Sequence, residues 1–410
     1  MAKKQSFWQL LCGAEPQEAG ASPLQPADAD IIEQIADQVE PTLATAPALP
    51  DPVVPGAAEP APAKPAPPQP YTHSDEHLWD ELCRIEHLVR AQTERWRRTV
   101  GEHKPERLWG MIHVTAQEVE TYLNTPCHLP DRLPADIKAA LQPYWDDAIE
   151  QRRRIATRLR RTDKAVRRQL REARLARAFR LKPIERTLLL ICLLPELDGR
   201  YRRLYSYLQD DASRTRPTVE LAFQILAPLL KTPQAGRDAL AANAALMRRH
   251  LIVLEASAQS DEPLPMRSLR IDDRAAGYLL GGDAFDSRLE GVLTRSAPYT
   301  AAERLILAEE QHHKLQALAE RAKKPGCTFM FYGPYGSGRR TAARFLCAVH
   351  NKPLLIADLA AAARSPHGFE LIVDLCFREA VLGDAALLWT GCEQLIDLEA
   401  QAHRWEYLIA

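Results

Sequence analysis

From residue 74 onward, stretches whose apolar positions recur every three to four residues are separated by short unbroken apolar runs. Ser74-Asp75-Glu76 supplies a helix start, and Leu78, Leu82, Ile85 and Val89 fall on one face, which predicts an amphipathic helix. A shorter helix is predicted over Thr115 to Leu123, stopped near Pro126, and a long helical pattern runs from Pro134 to about Leu181. Pro183 suits a first helical turn, and Ile184, Leu188 and Cys192 follow at helical spacing. Further helices are predicted from Asp198 to Leu208, through Val219, Phe223 and Leu226, and through Leu240, Ala244 and Met247. The last of these runs into Leu251-Ile252-Val253-Leu254, a strand-like run, and Leu269-Arg270-Ile271 offers a return strand after a polar loop. Helices followed directly by a two-stranded hairpin are the layout of a winged helix, a fold that serves partner holding as well as DNA binding. Arg237, Arg248 and Arg249 fall on or beside the recognition-helix position.

The pattern changes after residue 300. Thr300 and Glu303 read as a capping box, opening a helix that carries Leu315 and Leu318 to about Ala322. Cys327 to Tyr332 is a short apolar run bounded by Pro325-Gly326 and Gly333-Pro334, which predicts a buried strand. A helix through Ala342, Phe345, Leu346 and Val349 follows. After it come a strand over Lys352 to Leu359, a helix from about Gly368 to Leu382 and a strand over Ala385 to Trp389.

Strand, glycine-rich turn and helix is the setting of a phosphate-binding loop. Glycines admit φ > 0, so successive N–H groups can turn toward an anion, and the helix N-terminus adds partial positive charge. Gly333, Pro334, Tyr335, Gly336, Ser337 and Gly338 match the G-x-x-x-x-G spacing, and Arg339, Arg340 and Thr341 complete the candidate nucleotide-binding set. The expected ligands are ATP or ADP with Mg2+, Thr341 being the candidate metal contact. Arg339 stands where Lys is wanted, and a forked planar guanidinium does not reproduce an ammonium. At the end of the third strand, where a carboxylate should anchor the magnesium, stands Thr390; Glu393 is the nearest substitute acid and the only catalytic candidate. Hydrolysis is therefore expected to be poor or lost. With two further strands, a sensor residue and a lid lacking, the chain reads as a truncated gene product, or as one whose sheet edge another chain completes.

Residues 1–73, rich in Pro and Ala, are expected to form a disordered tail. Ile31, Ile35 and Val39 make one island of helical pattern between Asp30 and Val39, either a docking helix or a nascent helix without a role. Lys and Arg total 53 against 54 Asp and Glu, so the chain is no globally basic nucleic-acid binder. No apolar run approaches the roughly 20 residues of a membrane span. The eight cysteines include no C-x-x-C pair, which argues against zinc and redox motifs and for a cytoplasmic location. Residues 151–180 hold twelve Arg and one Lys against Asp163 and Glu172. That excess is either a solvated face pairing with acids elsewhere or a contact for a polyanion, nucleic acid included.

Several stretches recur together in one known order: Leu181 to Arg186, Pro195 to Asp198, Leu204 to Asp211, Arg216 to Leu221, Leu269 to Arg274, Tyr278 to Gly281, and Tyr332 to Thr341. On these, residues 75–410 resemble bacterial AAA-family ATPases with a winged-helix domain ahead of the ATPase, including those encoded with contractile injection systems. The resemblance implies a mainly α, multidomain chain: a helical region over 74–180, a winged-helix-like domain over 181–283, and a partial α/β P-loop domain over 300–410. It also implies ATP-dependent assembly or remodelling of a protein complex, with protein partners such as injection-system components, and a homo-oligomer where the ATPase domain is completed. A non-enzymatic adaptor with a relic nucleotide fold and a winged-helix DNA-binding regulator are the alternatives.

Overall fold

The computed structural model describes residues 68–99, 120, 123, 132–255, 262–300, 306–322, 326–392 and 407–408. The island at Asp30–Val39, most of the helix expected over Thr115–Leu123, and Glu393 lie outside these residues.

The first predicted stripe forms α1 (Ser74–Thr99), with Leu78, Leu82, Ile85, Leu88 and Val89 buried. It packs against α2 (Ala135–Arg161), whose buried positions Ile137, Leu141, Trp145, Ala148 and Ile155 repeat at helical spacing. Arg158 pairs with Glu76 and His87 faces Asp147, so the two helices run antiparallel. The single long helix expected from Pro134 to Leu181 is instead three: α2, α3 (Lys164–Gln169) and α4 (Arg171–Ala178). The first break has a local cause. The Thr162 hydroxyl bonds back to the Arg158 carbonyl, and Asp163 accepts from the Ala165 N–H as a new cap. At the second, Leu170 takes extended backbone and is fully buried.

α5 (Pro183–Leu197) is the central helix, with residues 188–194 at most 3% exposed. Around it lie α6 (Gly199–Leu208), capped by Asp198, and α7 (Val219–Leu226), capped by Thr218. The helix predicted through Leu240 and Met247 is two short pieces, α8 (Pro233–Ala239) and α9 (Ala245–Arg248). Turn bonds from Leu240 N to Arg237 O and from Ala244 N to Ala241 O bend the chain so that Leu240 and Leu246 are both buried. β1 (Ile252–Glu255) and β2 (Ser268–Ile271) form the expected antiparallel hairpin, Ile252 opposite Ile271 and Leu254 opposite Leu269. Thr218 bridges Ser268 as a vestigial third strand. One hydrophobic core joins α1, α2 and α4 to this hairpin and its helices.

α10 (Asp273–Leu279) leads to β3 (Leu293–Arg295), a strand the sequence reading missed because three residues carry no periodicity. α11 (Glu309–Arg321) starts later than the capping box at Thr300 implied, for Ile306–Ala308 are not helical. Then come α12 (Arg339–Val349), β4 (Leu354–Asp358), α13 (Leu359–Ala363), α14 (Phe369–Gly383) and β5 (Ala386–Thr390). β4 pairs antiparallel with β3 and parallel with β5. α14 supplies the crossover a parallel pair requires and buries Ile372, Val373, Leu375 and Cys376. Cys327–Tyr332 is not a buried strand: among the described residues it joins no ladder. Its alternation survives, with Phe329 and Phe331 packed beside α11 and α12 while Met330 and Tyr332 are 70% and 87% exposed. The mainly helical build is as expected, and no described helix is long and apolar enough to cross a membrane.

Candidate functional site

Gly333 to Gly338 form a turn that feeds α12. Gly333, Gly336 and Gly338 have φ of 148°, 84° and 79°, conformations open to glycine but strained for other residues. Ser337 N donates to Pro334 O, and Ala342 N is the first to bond back into the helix, onto Gly338 O. The amides of Gly336, Gly338, Arg339, Arg340 and Thr341 have no hydrogen-bond acceptor among the described residues. These orphan donors, at the positive end of an 11-residue helix, make a cradle suited to an anion. Pro334, Tyr335, Ser337, Arg339 and Arg340 are exposed; Thr341 is half-buried in the first turn.

The sheet edge offers little for magnesium. Thr390 lies level with Asp358, and its hydroxyl donates to Ala357 O. Asp358 does carry a carboxylate, but its Oδ1 accepts from the Ala360 and Ala361 N–H groups as the cap of α13.

The Arg-rich stretch divides. Arg158 bonds Glu76, Asp80 and Gln69 O and lies over the Tyr71 ring. Arg167 donates to Thr162 O, Arg171 to Asp283 and Gly282 O, and Arg174 to Leu382 O. All four are engaged within the fold, Arg158 and Arg171 with carboxylates as the pairing alternative expects and Arg167 and Arg174 with backbone carbonyls, while Arg153, Arg154, Arg160 and Arg161 stay exposed.

Two buried charge networks escaped the sequence reading. In one, Arg186 donates to both Glu81 and Glu172, and Arg84 donates to Glu81. Burial alone would raise the Glu81 carboxyl; the guanidinium groups of Arg186 and Arg84 more than offset it and hold it below its usual range. His77 sits beside them, fully buried, its Nδ1 3.6 Å from Glu172 and neither ring nitrogen hydrogen-bonded. Burial lowers its pKa to about 4. The donor atoms of His77, Glu81 and Glu172 lie within 4.8 Å of one another. A dication there would face two guanidinium groups on the same carboxylates, so the cluster is an ion network rather than a metal centre.

In the other, Arg378 on α14 is fully buried and donates to Asp286, to Asp272 and to the His250 carbonyl. Arg288 bonds both aspartates, and Arg274 pairs with buried Glu379. The His250 ring lies 3.3 Å from Asp374. α14 is thereby fastened to the end of α9 and the start of α10, the recognition-helix side of the hairpin module. Only spacing along α14 hinted at this: beyond Glu370 in the first turn, Asp374, Arg378 and Glu379 interrupt an otherwise apolar helix.

A family model described as a winged helix domain, variant, matches residues 59–293, more than half of the chain. The match takes in α1 to α10 together and stops before the glycine-rich turn. No curated protein and no solved structure matches.

Proposed function

The chain belongs to the variant winged-helix-domain family, and from that premise we propose that it is a winged-helix scaffold with an AAA-like nucleotide-binding segment, which binds ATP or ADP and hydrolyses it poorly or not at all. Its role would be the assembly or remodelling of a protein complex. The observation that carries this reading is the set of acceptor-less amides at Gly336 and Gly338 to Thr341, at the start of α12, followed by the parallel β4–β5 pair. Poor hydrolysis follows from Thr390 in place of an acid and from the engagement of Asp358 in capping.

Titration of the full chain with a fluorescent ATP analogue, with and without magnesium, tests it. Saturable binding is expected, weakened by Gly336→Val, which forces a side chain onto φ 84°, and by Arg339→Ala. Phosphate release should stay at background. No binding at high protein concentration would leave the second reading, a non-enzymatic adaptor. That reading draws support from the unpaired Cys327–Tyr332 run. A DNA-binding regulator has less in its favour. α8 and α9 are short, and His250, two residues past α9, is clamped by Arg378 and Asp374 rather than free to enter a groove. Duplex-DNA binding with a steep salt dependence would revive it.

A further inference from the structure

The outward face of α2 has a polarity that its packing does not use. Asp146, Asp147 and Glu150 are exposed on its middle turns; Arg153, Arg154, Arg160 and Arg161 are exposed on its last turns. Their engagements in the fold are slight. Asp146 accepts from Gln142 of the same helix, Asp147 lies 3.7 Å from His87, and Glu150 reaches Arg153 at 3.5 Å. Arg160 touches Thr157, and Arg161 donates to Pro68 O.

A uniformly anionic partner such as nucleic acid would meet the arginines and then, within about two turns of Arg153, three carboxylates. A partner of reversed polarity meets neither conflict. The helix itself, run antiparallel, has that reversed polarity. We propose that this face is a self-complementary docking surface for a second copy of the chain, the two α2 helices lying antiparallel about a two-fold axis level with Gln151 and Arg152. Glu150 of one copy then lies level with Arg153 of the second copy. Asp146 and Asp147 lie within about one turn of Arg160. A two-fold interface makes every such pair twice.

Sedimentation velocity on the full chain at low and high salt tests this. Dimers are expected at low ionic strength, dissociating as salt is raised, because exposed pairs are screened. Two double variants decide the matter: Asp146→Arg with Glu150→Arg, and Arg153→Glu with Arg160→Glu. All four positions are exposed, and circular dichroism checks that the helices persist. Each variant alone should be monomeric, its self-association weakened at least tenfold. Their equimolar mixture should recover a dimer, since one copy now presents a basic face and the other an acidic one. A wild-type chain monomeric at low salt overturns the proposal, as does a variant that dimerises unchanged or a mixture that fails to pair. Wild-type binding to heparin or duplex DNA, with no self-association, would assign the face to a polyanion instead and equally overturn it.

Discussion

His77 is a neutral imidazole sealed between Glu172 and Tyr71, and its neutrality has a consequence for stability. Its folded pKa, about 4, lies below the 6.5 of an exposed histidine. Between those values the unfolded chain takes up a proton that the folded chain refuses. The folded state is therefore favoured in full above pH 6.5 and loses stability as the pH falls toward 4. Urea unfolding of the wild type should weaken by roughly 2 kcal/mol from pH 7 to pH 5 through this group alone. His77→Phe should flatten that part of the profile, and an unchanged slope would refute the assignment. Arg378 represents the opposite case, a buried charge held by two carboxylates. Arg378→Ala leaves Asp272 and Asp286 buried with Arg288 alone, and should lower unfolding free energy by about 3–5 kcal/mol.

Among the elements, several helix starts carry side-chain caps, those of α3, α6 and α7 among them. Thr218 accepts from Leu221 N at the start of α7 while its own backbone bridges to the hairpin. Thr218→Ala should cost about 1 kcal/mol in chemical denaturation, through the lost cap. Local chemistry also explains where the sequence reading misplaced boundaries. The stripe of α1 and the start of α6 at Asp198 were legible because they are nearest-neighbour effects. The breaks at Thr162 and Leu170 were not, because a hydroxyl and a buried leucine interrupt a pattern whose polar and apolar spacing continues through them. The run at Cys327–Tyr332 shows the limit most plainly. Its composition suits a strand, but a strand exists only where another supplies the ladder.

For the molecule as a whole, α14 is the element on which two regions depend. Its apolar face closes the β3–β4–β5 sheet, and its charged positions close the recognition side of the hairpin module. Loosening it should be felt on both sides at once. Hydrogen exchange of the Arg378→Ala chain is expected to speed up together in α10 and α14, while α1 and α2 keep their protection. Faster exchange in α14 alone would mean that the two regions do not share this clamp.

The sequence alone determined the helical stripes, the hairpin and the glycine turn at Gly333–Gly338. Each depends on residues close together in the chain, through helical or strand periodicity or through the φ that glycine alone tolerates. Only the tertiary structure decided that the 74–180 helices share a core with the hairpin module, and that β3 opens the second sheet. It also decided which arginines of 151–180 turn inward, and that Arg378 meets Asp272 and Asp286. Those pairings join positions many tens of residues apart, and no local spacing records which distant carboxylate a buried guanidinium will find.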